Sequence, residues 1–155
     1  MKISVSTLDR LKTQHLSLPE LIAGLPDELL VLNPLPGKWS IRDNIAHMTK
    51  YQLVFIERMH TLLTVHEPIF EGYRAENDLE FGRWLNKGAF QLIEELNRDR
   101  ITLTGLVTKM DAGELRRVGV HQKFGKLSVL DWTEFFILHE AHHLFTIFRL
   151  AHDKG

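Results

Sequence analysis

Ser40-Ile41-Arg42-Asp43-Asn44-Ile45-Ala46-His47-Met48-Thr49-Lys50-Tyr51-Gln52 opens the segment whose reading decides the fold. Pro34, Pro36 and Gly37 break the chain just before it, and Ser40 followed three residues later by Asp43 is a variant of the capping-box start of a helix. Ile41, Ile45, Met48, Gln52, Phe55, Met59 and Leu62 then recur at three- and four-residue intervals, the period of one mostly apolar helix face running to about Leu63. His47, Tyr51 and Val54 lie along the flank of that stripe.

The same pattern returns at the other end of the chain. Ser128, with Asp131 three residues on, starts a helix that runs to about Ala151 through Leu130, Trp132, Phe135, Phe136, Leu138, Phe145, Ile147, Phe148 and Leu150. Toward the N-terminus the spacing predicts a helix over 6–23, divided or kinked by Pro19, with Ser17 available to cap the second piece. Residues 25–30 read as a short helical turn. A further helix is expected from Phe81 to Met110, with Gly88 in its interior at a cost of about 1 kcal/mol relative to alanine. Residues 65–80 read as a long connection and 116–125 as an extended or looped one. With little strand signal, four principal helices and two long connections predict an all-α four-helix bundle, a single domain over 1–155.

The chain has 155 residues, 44% hydrophobic and 25% charged, the composition of an ordinary globular protein. Its 19 Lys and Arg against 20 Asp and Glu give a net charge of −1, which supports neither nucleic acid nor an anionic membrane as a partner. No apolar run approaches a membrane span, and the first residues have no signal-peptide core, so a cytoplasmic protein is expected. Absence of cysteine excludes disulfides, iron–sulfur clusters, cysteine zinc sites and a thiol nucleophile in the chain itself.

Nine histidines are the other compositional feature. His139 and His143 stand at i and i+4 of the last helix, on one face and within reach of one metal ion. Random placement would give about 0.5 such pairs, so spacing alone decides nothing. The setting does more: Phe135, Phe136, Phe145 and Phe148 flank the pair, and a histidine among aromatics needs a partner for each ring nitrogen. His47, beside the apolar stripe of its own helix, is the best candidate for a third ligand. His15, His60, His66, His121 and His152 read as solvent or loop residues, and His142 needs no special account. His139-Glu140-Ala141-His142-His143 also satisfies H-E-x-x-H, but a peptidase would have to borrow its third ligand from upstream, because only 12 residues follow His143. Glu140, about 100° round the helix from His139, fits a surface or supporting position better than a base aimed at the ion. Asn44, one turn before His47, is a candidate support for the ligands. Tyr51, one turn after it, reads as a core-edge tyrosine that could instead face the metal cavity, and Trp39 as an indole packed under the helix entrance.

The run from Gly37-Lys38-Trp39-Ser40 to His47, followed at the far end by H-x-x-x-H at His139 and His143, resembles the DinB-like superfamily, which includes the YfiT-type proteins. Order, spacing and length agree over nearly the whole chain. The resemblance implies an up-down-down-up four-helix bundle that forms homodimers, with a divalent ion near one end held by His47, His139 and His143. Three imidazoles suit zinc or nickel first, with iron, manganese and copper as alternatives. Relatives include transferases that use low-molecular-weight thiols such as bacillithiol or mycothiol, and a mycothiol-dependent isomerase. One departure is visible: Thr146 stands where relatives often have glutamine.

The leading functional expectation is therefore a metal-dependent thiol S-transferase acting on a small-molecule substrate, its thiol supplied as a co-substrate because the chain has none. Two alternatives stand beside it: a metal-dependent hydrolase that uses metal-bound hydroxide, and a non-enzymatic bundle that binds a ligand or partner.

Overall fold

The computed structural model describes residues 2–153. Seven α-helices lie among them: α1 (Val5–Thr13), α2 (Leu18–Ile22), α3 (Asp27–Leu30), α4 (Ile41–Thr64), α5 (Phe81–Leu85), α6 (Ala89–Lys109) and α7 (Val129–His152). Both expected capping boxes form. Ser40 Oγ accepts from the Asp43 amide at 3.1 Å while the Asp43 carboxylate accepts from the Ser40 amide at 3.0 Å, and Ser128 and Asp131 do the same at 3.2 and 2.9 Å.

Two expected helices are divided. Residues Gln14–Ser17 tighten into a 3-10 turn, and Pro19, which has no amide hydrogen, falls in the first turn of α2. Ser17 does not cap that piece; its hydroxyl donates to the Gln14 carbonyl at 2.8 Å. The stretch expected to run unbroken from Phe81 to Met110 stops after Leu85 and restarts at Ala89, with Gly88 as the N-cap in an extended conformation. The glycine marks a boundary and not a weak helix interior.

Side-chain hydrogen bonds fix the direction of each helix. Thr49 and Gln52 of α4 donate to the carbonyls of Leu92 and Leu96 of α6, so these helices advance together and are parallel. Thr7 of α1 pairs with Glu134 of α7, and Gln14 just beyond α1 reaches Glu140, so that pair is parallel as well. Asn44 faces His143 while His47 faces His139, which makes α4 and α7 antiparallel. The result is an up-down-down-up four-helix bundle, α4 packed against α6 and α7, and α1 against the same two.

A small sheet was not expected. β1 (Ile69–Phe70) runs parallel to β2 (Val118–His121), which turns back antiparallel onto β3 (Gly125–Ser128). Strands of two to four residues are too short for alternation to stand out in sequence. The sheet is tied to the end of α4 by the Arg117 guanidinium, which donates to the Leu62 carbonyl and, at 2.8 Å, to that of Val65.

The core divides in two. One cluster holds Ile41, Ile45, Leu92, Leu96, Leu144 and Ile147; the other holds Phe55, Met59, Leu62, Leu103, Trp132 and Phe136. Between them along the helices lies a buried polar layer of His47, Gln52, Arg100, Glu140 and His143, joined by His15. Among the described residues no helix is long and apolar enough to cross a membrane.

Candidate metal centre

Two turns into α4 and around the middle of α7, the antiparallel pairing brings His47, His139 and His143 together. His139 Nε2 lies 3.2 Å from His47 Nε2 and 3.3 Å from His143 Nε2. Burial first, and the neighbouring histidines second, push all three imidazoles down to about 3, so each ring is neutral at pH 7.

Asn44 determines which nitrogen of His143 is bare. Its Nδ2 donates to the Ser40 carbonyl at 2.9 Å, which turns Oδ1 toward His143 Nδ1 at 2.9 Å. An amide oxygen only accepts, so Nδ1 carries the proton and Nε2 presents its lone pair to the other two rings. The capping serine that starts α4 thus sets, through Asn44, the tautomer of a histidine on another helix.

Crowded ring nitrogens repel unless a proton or cation stands between them, and neutral rings leave few protons to share. Nitrogen ligands about 2.0–2.1 Å from a tetrahedral ion stand about 3.3 Å from one another, close to the two separations found here. The ligating atoms lie within 4.8 Å of one another. The donor set therefore fits a divalent ion. His47 Nδ1 is buried and makes no hydrogen bond, so His47 lacks the support that Asn44 gives His143.

Tyr51 is buried against the centre, its ring 4.3 Å from that of His139, and its hydroxyl has no hydrogen-bond partner. Burial pushes that hydroxyl up to about 12, opposed by the charge of Arg58. Trp39 does more than pack under the helix entrance: its ring lies 4.9 Å from His47, 6.1 Å from His143 and 5.9 Å from Phe81. Tyr73, from the long connection, stacks 5.7 Å from His47. Neither Tyr73 nor Arg58 stood out in the sequence. Arg58 falls on the buried face of α4 beside Phe55 and Met59, and a cation at that position was the available signal.

Glu140 is not a surface residue. It is 3% exposed and receives the Arg100 guanidinium and, at 3.0 Å, the Gln14 amide. Its carboxylate is committed to the polar layer. His15 and His121 are also buried, contrary to a solvent or loop reading. His15 Nδ1 accepts from Arg100 at 3.0 Å, and His121 Nδ1 accepts the Lys123 and Phe124 amides, closing the hairpin turn. His142 is exposed, and so are Phe145 and Phe148, which therefore do not enclose the histidines as the sequence implied.

On the His143 side a cavity of about 1150 Å³ opens, lined by Lys38, Trp39, Asn44, His143, Thr146 and Arg149 among others. Thr146, the departure from the resembling pattern, is part of its wall, with its hydroxyl donated to the His142 carbonyl at 3.1 Å.

A parallel-and-antiparallel helical bundle with three neutral histidines converging between two helices defines a four-helix-bundle protein with a candidate histidine metal centre. The chain belongs to the DinB superfamily, whose family model matches residues 10–147. It is 29% identical to the uncharacterized protein YuaE of Bacillus subtilis (strain 168) over 136 residues, 79% of this chain and 83% of YuaE. Its fold is similar to that of YfiT from Bacillus subtilis, described as a probable metal-dependent hydrolase with an unusual four-helix bundle topology. That likeness has a TM-score of 0.79 at 17% identity, and covers 94% of this chain and 84% of YfiT.

Proposed function

We propose that this protein is a divalent-metal-dependent enzyme, with His47, His139 and His143 as ligands, that transfers a low-molecular-weight thiol to an electrophilic small molecule. The observation that carries this reading is the convergence of three neutral imidazoles in a pocket where the neighbouring Glu140 carboxylate is already taken by Arg100. A divalent ion on three neutral imidazoles keeps its double charge, leaves a position open, and favours the deprotonated form of a thiol or water that binds there. Zinc and nickel suit this donor set first, with iron, manganese and copper as alternatives.

The chain's own residues have supporting roles. Asn44 holds the His143 proton on Nδ1 and keeps Nε2 available. Trp39, Tyr51 and Tyr73 pack against the histidine rings. With no cysteine in the chain, a thiol has to come with the co-substrate.

Hydrolysis is the second reading, favoured by the likeness to YfiT. Its peptidase form is disfavoured, because a carboxylate base of the H-E-x-x-H kind would have to be Glu140, and that side chain is held by Arg100 and Gln14; a hydrolase that uses metal-bound hydroxide needs no such base.

The test is an assay of metal-loaded protein with several small thiols and a reporter electrophile, run beside a panel of esters, amides and phosphoesters without thiol. Thiol-dependent turnover that disappears in His143→Ala is expected. Equal rates for wild type and His143→Ala would overturn the proposal, and turnover of the ester or amide panel without thiol would favour hydrolysis.

A further inference from the structure

Arg58 of α4 is 9% exposed, yet no ion pair among the described residues includes it. Its Nη2 donates to the Glu71 carbonyl at 2.7 Å, and its guanidinium lies over three rings, 5.4 Å from Phe70, 5.8 Å from Trp132 and 6.0 Å from Tyr51. Aromatic faces attract a cation without neutralising it, and a buried charge without a counter-ion is costly. Arg100, the other buried arginine, has Glu140 as its counter-ion. Arg58 has none.

Beside it is a second unsatisfied group. Tyr51 is 3% exposed, and its hydroxyl, which faces the Arg58 guanidinium, has no acceptor for its own proton. The ring that carries this hydroxyl packs 4.3 Å from His139, so the unpaired cation and the unpaired hydroxyl lie together on the His139 side of the histidines. The large cavity opens on the other side, along His143 and Asn44. Both groups donate hydrogen bonds, and what they lack in common is an anionic acceptor.

We propose that Tyr51 and Arg58 form an anion-binding pair that takes a carboxylate of the substrate beside the histidine centre, so that the preferred substrates are carboxylic acids and not their neutral analogues. This rests on the proposed metal-dependent reading for the identity of the adjacent reacting group, but the pair can be tested with or without metal. A purely structural Arg58, holding the loop through Glu71, would not discriminate between an acid and its amide.

The experiment titrates 3-mercaptopropionate and its neutral amide, 3-mercaptopropionamide, into the full chain by calorimetry, in cobalt-loaded and metal-free forms. The acid is expected to bind about tenfold more tightly than the amide in both forms. Arg58→Gln should bring that ratio near one, chiefly by weakening the acid, and Tyr51→Phe should lower it about threefold. Arg58→Lys, which keeps the charge, should retain part of the preference and serves if the glutamine variant does not fold. Failure of the wild type to take up cobalt would count against the metal reading alone, because the acid-to-amide ratio is still read in the metal-free protein. Equal binding of acid and amide by the wild type, or a ratio unmoved by Arg58→Gln, would overturn the proposal.

Discussion

Asn44 accepts a hydrogen bond from His143 across the α4–α7 interface at 2.9 Å, and the same amide is anchored by donating to the Ser40 carbonyl. A residue one turn from His47 on α4 thereby controls the ring of a histidine on α7. If the three histidines hold an ion, removing that control should weaken it without removing a ligand. Asn44→Ala is expected to lower metal affinity about 10–100-fold, measured by competition with a coloured chelator. His142→Ala, at an exposed position, should leave it unchanged. Equal affinities for Asn44→Ala and wild type would show that the tautomer does not matter.

Glu140 and Arg100 join α7 to α6 within the buried polar layer, with Gln52, Gln14 and His15 around them. Breaking one side of a buried pair leaves an uncompensated charge, so Glu140→Gln should cost about 3–5 kcal/mol in urea unfolding. Replacing both partners, as in Arg100→Met with Glu140→Leu, should recover much of that loss. A Glu140→Gln variant with full stability but no activity would instead return Glu140 to the role of a base.

His15 gives acid unfolding a direction. Burial first, and the Arg100 charge second, lower it from 6.5 to about 4 in the folded protein. Above pH 6.5 it is neutral whether folded or unfolded, and its contribution to stability is complete. Between pH 6.5 and 4 the unfolded chain takes up a proton that the folded chain refuses, so stability falls as the pH falls. Urea midpoints measured with chelator present should drop from pH 6.5 to 4.5, and His15→Asn should show a shallower drop. Identical slopes would mean that His15 does not report on this linkage.

Gly119 of β2 lies where a side chain has no room. An added Cβ would stand 2.6 Å from Leu62 Cδ2 and 3.0 Å from Phe70 Cε2. Gly119→Ala is therefore expected to destabilise the fold by about 1–3 kcal/mol, read from thermal or urea unfolding. Wild-type stability would show that the sheet can move away from α4.

The helices were legible where local chemistry was complete. Ser40 with Asp43 and Ser128 with Asp131 mark their starts, and the three-four spacing of apolar residues marks the buried face of α4. The i, i+4 spacing of His139 and His143 places them on one face, and the apolar stripe beside His47 makes it a candidate third ligand. Nothing local brings it to them; that depends on the antiparallel packing of two helices far apart in sequence, which the resemblance implies. The sheet stayed hidden because β1 has only two residues and its partner β2 lies some fifty residues on. Burial of isolated polar residues is hidden for a related reason. His15 and His121 read as solvent or loop residues, and Glu140 as either surface or supporting, until their partners, Arg100 or the hairpin amides, are known. Those partners are set by tertiary packing and not by neighbours in the chain.

The central claim is that His47, His139 and His143 hold one divalent ion. A crystal of the full chain, purified without an affinity tag and scanned by anomalous scattering at the zinc, nickel, iron, copper and manganese edges, tests it most directly. The expected result is one anomalous peak per chain, about 2.0–2.2 Å from the three Nε2 atoms, that is lost in His139→Ala. A flat anomalous map between these rings after soaking in each metal would contradict it.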